Sequence, residues 1–301
     1  MRGKGFTFKQ FHINHSRCAM KVGTDGTLLG AWASLPNPTC NILDIGTGTG
    51  LIAIMAAQRH PDAQVCAIDI DSDCILQAEE NVAACPWSER ISLHHTPLQE
   101  FMPEEKFEVI ISNPPYFVDS LLSPDAQRST ARHTATLSFE ELTDGVIRLL
   151  APEGRFALIL PPAEFERFCS ASRGRLFVAR RCDVWSTPTS DVKRIMAEFQ
   201  TTPPAEPTTP DKLIIEEFGA MGYSEKYKSL TKDFYLKNRR NCNCLRIKRL
   251  FGLHGIWVTR WQPFLFQSSL LFCINDITPD TQRYNFFMNE QKGGAFFIIA
   301  V

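Results

Sequence analysis

The stretch Leu43-Asp44-Ile45-Gly46-Thr47-Gly48-Thr49-Gly50 decides the fold. Residues 41–45 are a short, largely aliphatic run that reads as a buried strand, and three alternating glycines follow it. Leu51, Ile52, Ile54 and Met55 then recur at helical spacing. Strand, glycine turn and helix in that order open a doubly wound α/β sheet. Glycines let such a turn adopt unusual dihedrals and approach a ligand closely. A dinucleotide fingerprint requires glycine at the sixth place of G-x-G-x-x-G, and that place is Leu51. Asp44 instead offers a strand-end carboxylate to an ammonium group. Both details favour S-adenosylmethionine over a nicotinamide cofactor, with Asp44, Gly46, Gly48 and Gly50 as its candidate contacts.

Working outward, apolar runs at 64–70, 91–95, 107–112 and 154–160 read as further buried strands, each bounded by Gly, Pro, Asp or Asn. Helical stretches between them predict a mostly parallel sheet with an antiparallel edge strand, a Rossmann-like architecture. Asp69, at the end of the second strand, is placed to accept the two hydroxyls of a ribose. Asp71 and Asp73 read as caps of a helix starting near Ser72. The third strand, Ile91–His95, is followed by Thr96-Pro97-Leu98, with no acid to meet a donor's adenine amine; a backbone group or Gln99 is the substitute. Ser138-Phe139-Glu140-Glu141 has the spacing of a capping box and predicts a helix start. The Thr- and Pro-rich stretch 200–210 reads as a loop.

The second informative motif is Asn113-Pro114-Pro115-Tyr116, at the end of the strand 107–112. Two prolines stiffen the loop and hold Asn113 extended, with its side chain aimed. An adenine N6 amine has its lone pair delocalised into the ring and is a poor nucleophile. Hydrogen bonds from its two protons to the Asn113 amide oxygen and the Pro114 carbonyl would draw it toward tetrahedral geometry. Tyr116 is suited to stack on the base. Asn113, Pro114 and Tyr116 are thus the candidate catalytic residues, with Asn113 also facing the donor.

The 301 residues carry 44% hydrophobic side chains, enough for one α/β domain with a sizeable core. Met1-Arg2-Gly3-Lys4 runs directly into Phe6-Thr7-Phe8, without a charged-then-apolar leader, and no apolar stretch approaches the roughly 18 residues of a membrane span. A cytoplasmic protein without membrane attachment is expected, and no obligatory protein partner is evident. Ten cysteines lack paired C-x-x-C spacing, Cys242 and Cys244 being the nearest pair, so reduced thiols and no metal are expected. Composition shifts after Lys237: residues 238–301 hold eight basic side chains against three acidic ones, which leaves residues 1–237 at a net charge of −6. The expected division is an N-terminal lid and substrate segment 1–40, a methyltransferase domain 41–237 and a tail 238–301. The tail shows no clear period and reads as unstructured translation beyond a lost stop codon, the alternative being a basic extension that holds RNA.

Several segments together resemble the bacterial tRNA adenine-N6 methyltransferases that modify the adenosine just 3′ of the anticodon in tRNA(Val). They are Phe6-Thr7-Phe8-Lys9-Gln10-Phe11, Cys18 through Gly26, Arg128-Ser129-Thr130-Ala131-Arg132-His133, and Tyr223–Tyr227 through Asp233–Lys237. The resemblance runs from about Phe6 to Lys237. It implies a class I, S-adenosylmethionine-dependent fold and a tRNA substrate, most specifically the tRNA(Val) anticodon stem-loop. It also implies that the N-terminal segment forms a lid over donor and base, with Thr24 or Asp25 starting a helix. Lys21, Thr24, Asp25, Arg128, Arg132 and His133 become candidate substrate contacts. Arg173, Arg175, Arg180, Arg181, Lys4 and Lys9 are the further cations available to the anticodon stem. An acidic domain requires a local basic patch, and RNA affinity that falls steeply with added salt. N6-adenine methylation of rRNA or DNA, N5-glutamine methylation of a protein, and a noncatalytic nucleotide- or RNA-binding module are the competing readings.

Overall fold

The protein is described by a computed structural model covering residues 5–36, 41–115, 137–217 and 222–236, together with the backbone of four strands between residues 265 and 300. It divides into two compact units, Met1–Arg240 and Asn241–Val301.

In the first unit, eight strands form one sheet: β3 (Asn41–Ile45), β4 (Gln64–Asp69), β5 (Ile91–His95), β6 (Phe107–Ser112), β7 (Leu150–Leu160), β8 (Phe177–Trp185), β9 (Val192–Gln200) and β10 (Asp211–Ile214). Their order is β10-β8-β9-β7-β6-β3-β4-β5. Neighbours from β7 across to β5 pair in parallel. Toward the other edge, β9 runs antiparallel to both β7 and β8. The chain leaves β3 for β4 on one side and returns to β6 on the other. A topological switch point therefore lies between β3 and β6, the place where α/β sheets hold ligands. A separate antiparallel pair, β1 (Gly5–Thr7) with β2 (His12–Asn14), precedes the sheet.

The strands expected from sequence are present, and β7 begins earlier than expected, at Leu150. Leu150 pairs with Phe107 before a register shift resumes the pairing at Val109 and Arg155, so the turn after the preceding helix is already extended.

Alternation along the strands sorts two cores. Ile42, Val109, Ile111, Ala157 and Ile159 face α1 (Thr24–Trp32) and α2 (Leu51–Arg59). Leu43, Ile45, Ile110, Leu158 and Leu160 face α4 (Phe139–Leu149) and α5 (Pro162–Ala171). The α4 start is the expected capping box: Ser138 Oγ accepts from the Glu141 amide, and the Glu141 carboxylate accepts from the Ser138 amide. Helix α3 (Ser72–Ala83) is capped by Asp71, whose carboxylate accepts from the amides of Asp73 and Cys74. Helix α6 (Glu225–Thr231) is capped by Ser224, whose hydroxyl accepts from the Tyr227 amide. Residues 201–210 form the loop between β9 and β10, its first expected residue, Gln200, being the last of β9. No described helix is long and apolar enough to cross a membrane.

The second unit contains an antiparallel sheet in the order β11 (Leu265–Phe266), β12 (Ser269–Ile274), β13 (Tyr284–Glu290), β14 (Phe296–Ala300). These strands pair in a stretch whose sequence shows no clear alternating period.

Candidate active site

The glycine turn folds back on the end of β4. The amides of Gly46 and Thr47 donate to the Ile68 carbonyl at 2.9 and 3.0 Å, and the Gly48 amide donates to Asp69 Oδ2 at 2.8 Å. Gly46 and Gly48 have φ of +70° and +56°, and a Cβ added at either would meet nothing within 4 Å. The left-handed backbone thus requires glycine, and the space above it is open to a ligand. Asp69 Oδ1 also accepts from the Asp71 amide, at 2.9 Å. Burial raises the Asp69 carboxyl above its ordinary pKa, while these backbone bonds hold it down.

Asp44 is 1% exposed. Its Oδ2 accepts from Thr47 Oγ1 at 2.6 Å and from the Ala53 amide at 3.2 Å, whereas Oδ1 is buried without a protein partner. Burial pushes this carboxyl up to about 7. A buried, half-satisfied carboxylate beside an open glycine turn is suited to a cationic ligand group, which would restore its charge.

Across the switch point, Ser112 Oγ donates to the Ile45 carbonyl at 2.9 Å and ties the end of β6 to the end of β3. Asn113 follows directly, so the reaction loop and glycine turn are joined at their roots. Pro114 is buried and Pro115 exposed. The Asn113 amide oxygen is buried and has no partner among the described residues, and its Nδ2 lies 3.8 Å from the sulfur of Met20. A Cβ on Gly26 would come within 3.3 Å of Leu51 and 3.8 Å of Asn113 Nδ2, so the first turn of α1 approaches the reaction loop closely. Tyr116, Arg128, Arg132 and His133 lie outside the described residues, as does Lys4.

The chain leading to α1 lies along one face of α3. Asn81 Oδ1 accepts from the Asn14 amide at 2.8 Å, and Asn81 Nδ2 donates to the Asn14 carbonyl at 2.9 Å and to the Thr49 carbonyl at 2.8 Å. Gln77 Oε1 accepts from the amides of Ser16 and Arg17 at 3.1 and 3.2 Å. The thiols of Cys18 and Cys74 share a hydrogen bond that lowers the pKa of Cys18 and raises that of Cys74. Positions 74, 77 and 81 fall on one helical face, so three buried side chains hold residues 14, 16–17 and 18 in turn. Asn81 in addition joins this segment to the glycine turn. The sequence signal for it was two amides on the inward face of an otherwise ordinary helix.

Helix α1 starts at Thr24, as expected, with Gly23 in the N-cap position. Asp25 pairs with Arg194 of β9 at 2.7 Å. Arg194 precedes Ile195, which pairs with Leu160 at the carboxyl end of β7, so this ion pair sits on the same rim as Asn113. Lys21 and Thr24 are exposed nearby in sequence. Among the stem candidates, Arg175 pairs with Asp144, Arg180 with buried Glu198 and Arg181 with Asp183. Arg173 is exposed, and the Lys9 ammonium donates to the Lys232 carbonyl. Gln99 donates to Glu141 at 3.0 Å and is engaged at the α4 cap.

A glycine turn, strand-end acids and a rigid Asn-Pro-Pro loop at the switch point of this sheet define a class I methyltransferase. The methyltransferase small domain family model matches residues 24–138. A solved structure described as a predicted O-methyltransferase, from Agrobacterium tumefaciens, superposes with a TM-score of 0.55 at 20% identity, covering 70% of this chain and 96% of its own, and shares the fold. The tRNA1(Val) (adenine(37)-N6)-methyltransferase of Parabacteroides distasonis is 49% identical over 236 residues, 77% of this chain and 98% of the relative. That of Vibrio cholerae is 43% identical over 78% of this chain and 96% of the relative. The chain belongs to the tRNA1(Val) (adenine(37)-N6)-methyltransferase family.

Proposed function

We propose that the protein transfers a methyl group from S-adenosylmethionine to N6 of adenine 37 in tRNA(Val), beside the anticodon. The observation that carries this reading is the Asn113 amide oxygen, buried and unpartnered at the switch point, next to an open glycine turn. Bound S-adenosylmethionine supplies an electrophilic methyl group on a sulfonium. Asp44 holds the donor's ammonium with its free oxygen, Asp69 accepts from the ribose hydroxyls, Gly46 and Gly48 leave room for the donor against the backbone, and Gly50 lets the same turn pack closely on Ala78 and Val82 of α3. Asn113 Oδ1 accepts one proton of the adenine amine and the Pro114 carbonyl the other, which turns the nitrogen lone pair toward the methyl group. Tyr116 stacks on the base. No general base is needed beforehand, since the amine sheds its proton once alkylated.

The division of labour we propose is a lid and substrate segment at 1–40, a catalytic domain at 41–237 and a dispensable tail at 238–301, in a cytoplasmic enzyme. Lys21, Thr24, Asp25, Arg128, Arg132 and His133 form the substrate side. The test is to incubate the protein and donor with total tRNA from a strain lacking this activity and to map the new mark by mass spectrometry. N6-methyladenosine next to the tRNA(Val) anticodon is expected. A mark on a different nucleotide, or no mark on tRNA, sinks the reading.

A further inference from the structure

Met20 is 47% exposed, and scattered exposed apolar side chains are ordinary on any protein. Its neighbour is what sets it apart: its sulfur lies 3.8 Å from the amide nitrogen of Asn113. The chain on either side is tied down. Upstream, Asn14, Ser16, Arg17 and Cys18 are held by Asn81, Gln77 and Cys74 on α3. The Val22 amide donates to His15 Nδ1 at 3.5 Å and closes residues 15–22 into a small loop. Downstream, α1 is pinned by the Asp25–Arg194 pair and by the close approach of Gly26 to Leu51. Met20 therefore belongs to a loop anchored at both ends, with its thioether presented beside the reaction amide.

We infer that Met20 is a substrate-contacting residue: the apolar wall against which the target adenine ring packs while its amine meets Asn113. This rests on the proposed function. The chemistry matches a flat aromatic ring. A thioether is polarizable and makes favourable contacts with aromatic rings at about 5 Å. It is also a weak acceptor that takes the Nδ2 side of Asn113 and leaves Oδ1 for the amine. An anchored loop presents this surface with little ordering left to be done on binding.

Met20→Ala and Met20→Leu are compared with the wild-type enzyme, using a tRNA(Val) anticodon stem-loop as substrate. The alanine variant should raise KM for the RNA roughly fivefold to tenfold. The leucine variant, which keeps the apolar surface, should stay within about twofold of wild type. Donor Kd by calorimetry and Tm should be unchanged in both, because the side chain is half exposed and the donor lies on the glycine turn. An active wild type with an unaltered alanine variant overturns the inference alone. So does a leucine variant as impaired as alanine, or a parallel loss of donor binding. A wild type inactive on tRNA overturns the functional reading and this inference with it.

Discussion

At the scale of single residues, two side chains carry unmet interactions, and each makes a separate prediction. Asn113→Ala removes an acceptor that has no partner among the described residues, so neither Tm nor donor affinity should move much, while turnover falls by about two orders of magnitude or more. Near wild-type turnover in a single-turnover assay would remove Asn113 from the reaction. Asp44 makes a prediction in pH. Its carboxyl is raised from 3.8 to about 7, so the folded protein holds a proton that the unfolded chain has lost. Its contribution to stability therefore declines as pH climbs from about 4 through 7. A cationic donor prefers the ionised form, so donor affinity should strengthen as pH rises from 6 to 8, and Asp44→Asn should bind weakly with a flattened profile. Calorimetric titrations at several pH values check it; an unchanged wild-type Kd across that range would contradict it. Both residues were legible in the sequence because each sits in a motif with its own chemistry. Arg194 and Asn81 were not, since their roles depend on partners 169 and 67 residues away.

At the scale of elements, α3 does two jobs. Its first turn follows Asp69, the acid we propose for the ribose hydroxyls, and its buried face holds residues 14–18. Asn81→Leu keeps the volume and deletes three hydrogen bonds, leaving the Asn14 amide and the carbonyls of Asn14 and Thr49 unpaired, each at a cost of about 1–3 kcal/mol. Hydrogen exchange at the Asn14 amide should accelerate and donor affinity should fall several-fold in the same variant. Fast exchange with unaltered donor affinity would show that segment and glycine turn are not coupled. The element boundaries themselves were mostly readable: periodic apolar runs gave the strands, Ser138 and Asp71 gave two helix starts. The early start of β7 was not, because it reflects pairing with Phe107 and no local preference. Nor was the use of Arg175, Arg180 and Arg181, since a cation's partner is fixed by strand register and helix packing.

At the scale of the molecule, the first unit, Met1–Arg240, spans all the described site residues. Deleting residues 238–301 should leave donor affinity, RNA affinity and rate unchanged. A loss of RNA affinity with rate at saturation preserved would assign the basic tail to substrate binding. With Arg175, Arg180 and Arg181 committed to acids, the steep salt dependence expected from the sequence gives way to a modest slope, set by few phosphate contacts. The two ends of this unit meet. The Lys9 amide donates to the Phe234 carbonyl at 2.8 Å, and the rings of Phe6 and Phe8 each lie 5.9 Å from that of Tyr235. A ribosome makes the first of these residues more than 220 positions before the last. The amino-terminal hairpin must therefore wait, its aromatic face uncovered, until nearly the whole unit has emerged. During synthesis that hairpin shows the kind of uncovered apolar surface that chaperones shield, and a nascent chain stalled before residue 234 has yet to make this closing contact.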